Sequence, residues 1–396
     1  MAPKSWRASR TLVYALIAAT TLLGFTHNAK AANWNVTLIE QANNPKLDRQ
    51  RLERAYLGHP LGGAGEAITM ALDDAQFELE AAKTTITLKQ EQVITVEAAK
   101  TAAQKAEKAG VPILLINLPG AWTAAVATAV KIPVINIGSS DDNLRESDCL
   151  TNMYHVLPSE RMRTDALAQA LMTRKWSQVL LLVGAMPEDI KRSQTAQASM
   201  KRYGLKIVTT KPFKLSTDPR ERSLANLQLL TANSSYDVVW VVDSDGEFAR
   251  SLPYNTALAR PVVGDAGMVS LAWEVHFDRF GAPQVTRRFT KAAKRPMTDV
   301  DWAAWMAGKV VVAAAIASPR SDPVSIAKAL INASLDGSKG VPLQFRPWDR
   351  QLRQSMLLTD GQGVLGAIPM EGILHPKNIL DTLGADEGEK LCKFKP

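Results

Sequence analysis

The chain has 396 residues, of which 46% are hydrophobic and 22% charged, with a net charge of +8 and two cysteines. This is a globular composition, and it excludes disordered, collagen-like and disulfide-rich scaffolds. The basic excess comes without a dense Lys/Arg stripe interleaved with aromatics, so no nucleic-acid partner is expected.

The first element is an address. Lys4, Arg7 and Arg10 precede an apolar run over 11–25, and Ala29-Lys30-Ala31 follows it. The run is shorter than the roughly 20 residues that cross a bilayer core. A basic start, a short apolar stretch and a small-x-small site predict a signal peptide over 1–31, cleaved after Ala31. The protein is therefore expected in the periplasm. No cysteine follows the run, so no lipid anchor is expected. Cleavage removes four basic residues and no acids, which lowers the net charge from +8 to +4. No later stretch reaches 18 unbroken apolar residues, and no membrane span is expected in the mature chain.

Strands and helices then alternate. Strands are predicted over 34–41 (WNVTLIEQ), 84–88, 111–117 (VPILLIN), 132–137 (IPVINI), 177–183 (SQVLLLV), 206–210, 236–242 (YDVVWVV) and 261–263. Helical spacing covers 64–82, 96–109, 159–173, 188–203, 219–232 and 246–258. Short apolar strands separated by helices predict parallel sheets covered on both faces, a doubly wound α/β architecture. About 365 mature residues are too many for one core, so two such units are expected, the second starting at Ser177. Helices over 299–318 and 323–333, a strand over 351–358 and a turn at 360–363 complete the chain. Cys149 and Cys392 form no CxxC; one bridge or two separate buried thiols both fit the spacing.

The chemistry of common enzymes is missing from the sequence. The four mature histidines are scattered, with no metal-ligand spacing, and there is no Walker A sequence and no GxSxG elbow. Gly62-Gly63-Ala64-Gly65 lacks the full dinucleotide pattern. Asp243-Ser244-Asp245-Gly246 mimics a calcium loop, but its glycine is misplaced and the closing Glu is absent. Neither an enzyme, a catalytic cofactor nor a metal is expected; a ligand-binding protein is.

In doubly wound sheets ligands lie beyond the carboxyl ends of strands. Those ends carry Trp122 in a Pro-Gly turn, Gly138-Ser139-Ser140-Asp141, Met186, Asp243 and Asp265. Trp122 either stacks on a flat ligand or packs within its lobe. Ser139 and Ser140 either receive a carboxylate at a helix N-terminus or only cap that helix.

At these residues the chain resembles the type I periplasmic binding proteins of ABC transporters, the Leu/Ile/Val-binding group. The strand end at Pro133–Ser139 resembles the family's second ligand loop. Pro158-Ser159-Glu160 resembles its hinge-proximal Pro-Ser-Asp, and Asp301-Trp302-Ala303-Ala304-Trp305 its aromatic-rich helix start. The resemblance implies two lobes joined by three hinge crossings, near 154–158, 276–283 and 340–345. One lobe would take 32–157 with 283–340, the other 158–282 with 341–396. The first loop, 42–65, departs from the family in being long and charged, and Asp265 matches its ammonium-binding acid only loosely. A narrower resemblance lies in Ile137–Pro158 (IGSSDDNLRESDCLTNMYHVLP), the Trp-rich pattern and the tail Leu391-Cys392-Lys393-Phe394. These are similar to a subfamily encoded with PQQ-dependent alcohol dehydrogenases. It implies pyrroloquinoline quinone (PQQ), a planar tricarboxylate, as the ligand, taken up, stored or delivered. An ABC permease or the dehydrogenase would then be the partner. Trp122, Trp302 and Trp305 would supply stacking faces, and Arg145, Arg161 and Arg163 carboxylate contacts, unless each arginine is a solvated helix charge. An amino acid or small carboxylate, or a non-transport role beside the dehydrogenase, are the alternatives.

Overall fold

The computed structural model describes residues 32–232 and 235–394. The signal peptide expected over 1–31 lies outside them.

The first lobe is built on β1 (Ala32–Gln41). A long excursion with the five-residue helix α1 (Arg49–Glu53) leads to α2 (Gly65–Asp74) and α3 (Gln76–Ala81). Then come β2 (Thr84–Val93), α4 (Val96–Lys108), β3 (Leu114–Asn117), α5 (Gly120–Ala129), β4 (Val134–Asn136) and β5 (Met153–His155). The five strands form a parallel sheet in the order β2-β1-β3-β4-β5. Each buried strand feeds two cores. On β3 and the residue before it, Ile113 and Leu115 face one apolar cluster while Leu114 and Ile116 face another. This period-2 division is why the strand reads as an unbroken apolar run.

The second lobe repeats the plan. It holds α6 (Glu160–Thr173), β6 (Gln178–Val183), α7 (Pro187–Arg202), β7 (Lys206–Pro212), the short α8 (Arg222–Ala225) and α9 (Leu227–Thr231), β8 (Val238–Val242), β9 (Val262–Gly264) and β10 (Val269–Leu271). Four strands pair in parallel in the order β7-β6-β8-β9. The chain then returns with α10 (Ala282–Ala293), α11 (Asp299–Ala317) and α12 (Pro323–Asn332), whose buried residues share the apolar cluster of Trp34 and Ile68 in the first lobe. α11 is long and apolar enough to cross a membrane, but 72% of that stretch is buried in this core. A small hairpin of β11 (Leu335–Asp336) and β12 (Pro342–Leu343) precedes β13 (Met356–Thr359) and β14 (Val364–Ile368); β13 pairs antiparallel with β10 on one side and with β14 on the other. Met356 and Leu358 complete the second lobe's core.

Four element boundaries differ from expectation for local reasons. The helix expected over 64–82 breaks at Ala75, whose backbone leaves the helical region. The one expected over 219–232 divides at Asn226, whose side chain caps α9 by accepting from the Leu229 N–H at 3.0 Å. That over 246–258 is only a 3-10 turn at Ala249–Tyr254, interrupted by Pro253. The strand expected over 351–358 begins at Met356.

Candidate functional site

A cleft of about 770 Å³ lies between the lobes, at the carboxyl ends of the strands. From the first lobe it is lined by Asn117–Gly120 and Gly138–Asp142. The second contributes Glu160, Arg163, Arg192, Ser244, Asp265 and Ser270, among others.

Of the residues expected to bind ligand, Ser139, Ser140, Arg163 and Asp265 line this cleft. The serines do not stand at the start of an α-helix, because Asp142–Arg145 is one 3-10 turn. The helix whose N-terminus reaches this loop is α5, where a Cβ on Gly120 would lie 2.9 Å from Asp141 Oδ2 and 3.1 Å from Ser139 Oγ. α5 has no side-chain cap, so its first N–H groups are left for other acceptors.

The remaining seven lie outside the cleft lining. Trp122 packs against the outer core of the first lobe. Trp302 is fully buried, with its indole N–H on Gly337 O at 3.1 Å and the Lys339 ammonium 3.6 Å over its ring. Trp305 is buried too, donating to Asp74 Oδ2 at 3.3 Å. All three pack within the first lobe. Arg145 is buried and donates to four groups around the hinge, Gln351 Oε1 and the carbonyls of Ser139, Asp141 and Leu157. Arg161 binds both oxygens of Glu389 in the C-terminal tail, at 2.8 and 2.7 Å. Met186 is exposed at the N-cap of α7, outside the cleft lining. Asp243 is buried and caps the next turn, accepting from the Ala249 N–H at 2.8 Å.

Three features of the cleft were not anticipated. Arg192 grips Asp265 with two bonds, of 3.0 and 2.7 Å, and also reaches Glu160 at 3.0 Å. Burial works against the Arg192 charge, but these two carboxylates outweigh it and hold its pKa well above the ordinary value. The Asp243 N–H occupies Asp265 Oδ2 further, at 2.7 Å. Lys191 reaches across to Asp141 at 2.7 Å, tying α7 to the serine loop.

The third feature is the excursion between β1 and α2, which crosses the cleft mouth as a strap. Tyr56 donates from its hydroxyl to Ser244 O at 3.1 Å, and Arg54 pairs with Glu247 at 3.3 Å. Gly246, at φ +69°, lies under the Tyr56 ring; a Cβ there would come within 2.3 Å of Cδ1. Burial raises the Tyr56 pKa, and Asp265 adds to it, so the phenol stays a donor. Tyr56 and Trp240 are the aromatic side chains among the described lining residues.

Asp142 sits in the interlobe seam, accepting from the Arg161 N–H at 2.9 Å and from Thr195 Oγ1 at 3.1 Å. Burial pushes its pKa up to about 6. A carboxyl raised in the closed state binds more protons there than when exposed, so closure is favoured at low pH. This advantage is lost as pH rises from the ordinary aspartate range through about 6. Small-angle scattering of Asp142→Asn across pH 4–8 is expected to show this pH dependence removed, with the closed form retained at neutral pH.

No family model matches the chain, and no curated protein matches it. Solved structures do. A periplasmic binding protein from Burkholderia mallei superposes with a TM-score of 0.63 at 15% identity, covering 86% of this chain and 95% of its own. A branched-chain amino acid ABC transporter ligand-binding protein from Burkholderia xenovorans gives 0.67 at 12% identity, covering 85% and 95%. A solute-binding protein of an ABC transporter from R. palustris, in complex with benzoate, gives 0.59 at 16% identity, covering 86% and 99%. The chain thus has the two-lobed α/β fold of type I periplasmic binding proteins.

Proposed function

We propose that this protein is a periplasmic solute-binding protein of an ABC transporter, and that its ligand is a small organic carboxylate held in the interlobe cleft. One contrast carries this reading. Ser139 and Ser140 line the cleft beside the uncapped N-terminus of α5, and the Ser139 hydroxyl, whose oxygen accepts the Asp141 N–H at 3.3 Å, keeps its own proton for a ligand, whereas Asp265 has both oxygens occupied by Arg192. Such a cleft receives an anion readily, but a ligand ammonium would have to displace a bidentate guanidinium. The benzoate-bound R. palustris neighbour supports an acid of this kind.

PQQ belongs to the same chemical class, and the cleft volume of about 770 Å³ lies within the range of ligand pockets. Its aromatic face would rest on Tyr56 rather than on the three tryptophans. Calorimetric titration with benzoate, 4-hydroxybenzoate, PQQ and leucine tests the reading. At least one of the three acids is expected to bind, and Ser139→Ala to weaken it about tenfold, the loss of roughly one hydrogen bond to a charged group. Binding of leucine alone would return the protein to the amino-acid binders. A cleft silent to all four would favour an accessory role beside a dehydrogenase.

A further inference from the structure

We infer that the cleft carries a second anion subsite at its hinge end, formed by Arg163 and Ser270 and backed by Lys339, so that its ligand bears a second carboxylate. The inference rests on the carboxylate reading above and names the ligand class more closely.

The subsite is separate from the serine loop. Arg163 is on α6 just past the first crossing, and Ser270 is on β10 just before the chain returns to the first lobe. Both line the cleft. Arg163 uses one nitrogen, Nη1, for Asp299 at 2.5 Å and for Ser270 O at 3.2 Å. Its other guanidinium donors have no partner among the described residues. Ser270 is only 4% exposed, yet its hydroxyl is buried without a hydrogen-bond partner. Arg163 meets Ser270 through its carbonyl, and an orphaned hydroxyl on that same residue is costly unless something polar completes it.

Charge supports the same conclusion. Lys339 is buried against Trp302, with its ammonium on Gln354 Oε1 at 3.2 Å and Ser355 O at 3.0 Å. Burial holds its pKa well below the ordinary lysine value; Asp299 opposes that and Arg163 adds to it, so an anion bound beside Arg163 would favour the ammonium form. Asp299 is the carboxylate that faces both groups, and Arg163 and the Trp273 backbone N–H already occupy it. Arg163 offers its free planar edge to a second carboxylate, the geometry in which guanidinium exceeds ammonium.

The test pairs each α,ω-diacid from succinate to sebacate with the monoacid of the same chain length, and terephthalate with benzoate, by calorimetric titration. At the matching length the diacid is expected to bind at least about tenfold tighter than its monoacid. In Ser270→Ala and in Lys339→Met, with folding checked by thermal melting, that ratio is expected to fall to within about threefold. A ratio near one across the wild-type series would overturn the subsite, as would a ratio that survives both substitutions. Monoacid binding without diacid preference removes this inference alone; no binding by any acid removes the carboxylate reading as well.

Discussion

Replacing both cysteines (Cys149→Ser with Cys392→Ser) is expected to lower stability by about 2–5 kcal/mol in chemical denaturation. The bridge closes a loop with a sequence separation of 243, so its loss frees a large volume of unfolded conformations. Cys149 belongs to the first lobe, between β4 and β5. Cys392 ends a tail that packs on the second lobe. There Arg353 binds both oxygens of Asp381, at 2.7 and 3.0 Å, and Arg202 donates to Gly384 O at 2.8 Å. The bridge is thus a covalent link between lobes in addition to the three crossings. Because the tail is also held by this ion pair, by the Arg202 hydrogen bond and by Arg161, the loss should stay within that range rather than exceed it. A denaturation midpoint unchanged by reductant would contradict this account of the tail.

Arg145→Met is expected to cost about 3–5 kcal/mol and to abolish ligand binding. Burial lowers the pKa of this guanidinium to about 10, so it remains charged at neutral pH. Among the described residues it has no carboxylate in direct contact; it holds the carbonyls of Ser139, Asp141 and Leu157 and the Gln351 amide oxygen. Hydrogen bonds to a charged group contribute ~1.5–3 kcal/mol each, and truncation leaves buried carbonyls without donors. Gln351 in turn donates to the carbonyls of His155 and Leu157. The serine loop and two crossing segments are therefore fixed through one side chain. Denaturant unfolding measures the first effect and calorimetry the second. Lost stability with intact binding would show that Arg145 does not position the loop.

The inner sheet strands were legible because burial on both faces writes an unbroken apolar run into them, as in YDVVWVV, whereas the edge strands β2 and β7 are mostly half-buried or exposed and carry none. The strand-end rule depends on topology alone, and it brings Ser139 and Asp265 to the cleft lining. Met186 and Asp243 stand at strand ends too but outside that lining, because a strand end also needs side chains that cap the next helix or turn. Trp302 and Trp305 were misread because the chemistry that suits a tryptophan to a ligand also suits it to a core. Arg192 lies inside α7, and Tyr56 lies 15 residues beyond the end of β1. No local spacing reports that either reaches the cleft; only the packing of two lobes brings them there. The shorter helices failed where Asn226 and Pro253 act on the backbone, a signal present in the sequence but weaker than the apolar period around it.

A crystal structure with the tightest-binding acid tests the central claim most directly. The account predicts a ligand carboxylate within about 3 Å of the Ser139 and Ser140 hydroxyls and the first N–H groups of α5, with the Arg192–Asp265 pair intact. A ligand seated outside the cleft, or one whose ammonium has replaced Arg192 on Asp265, would contradict it.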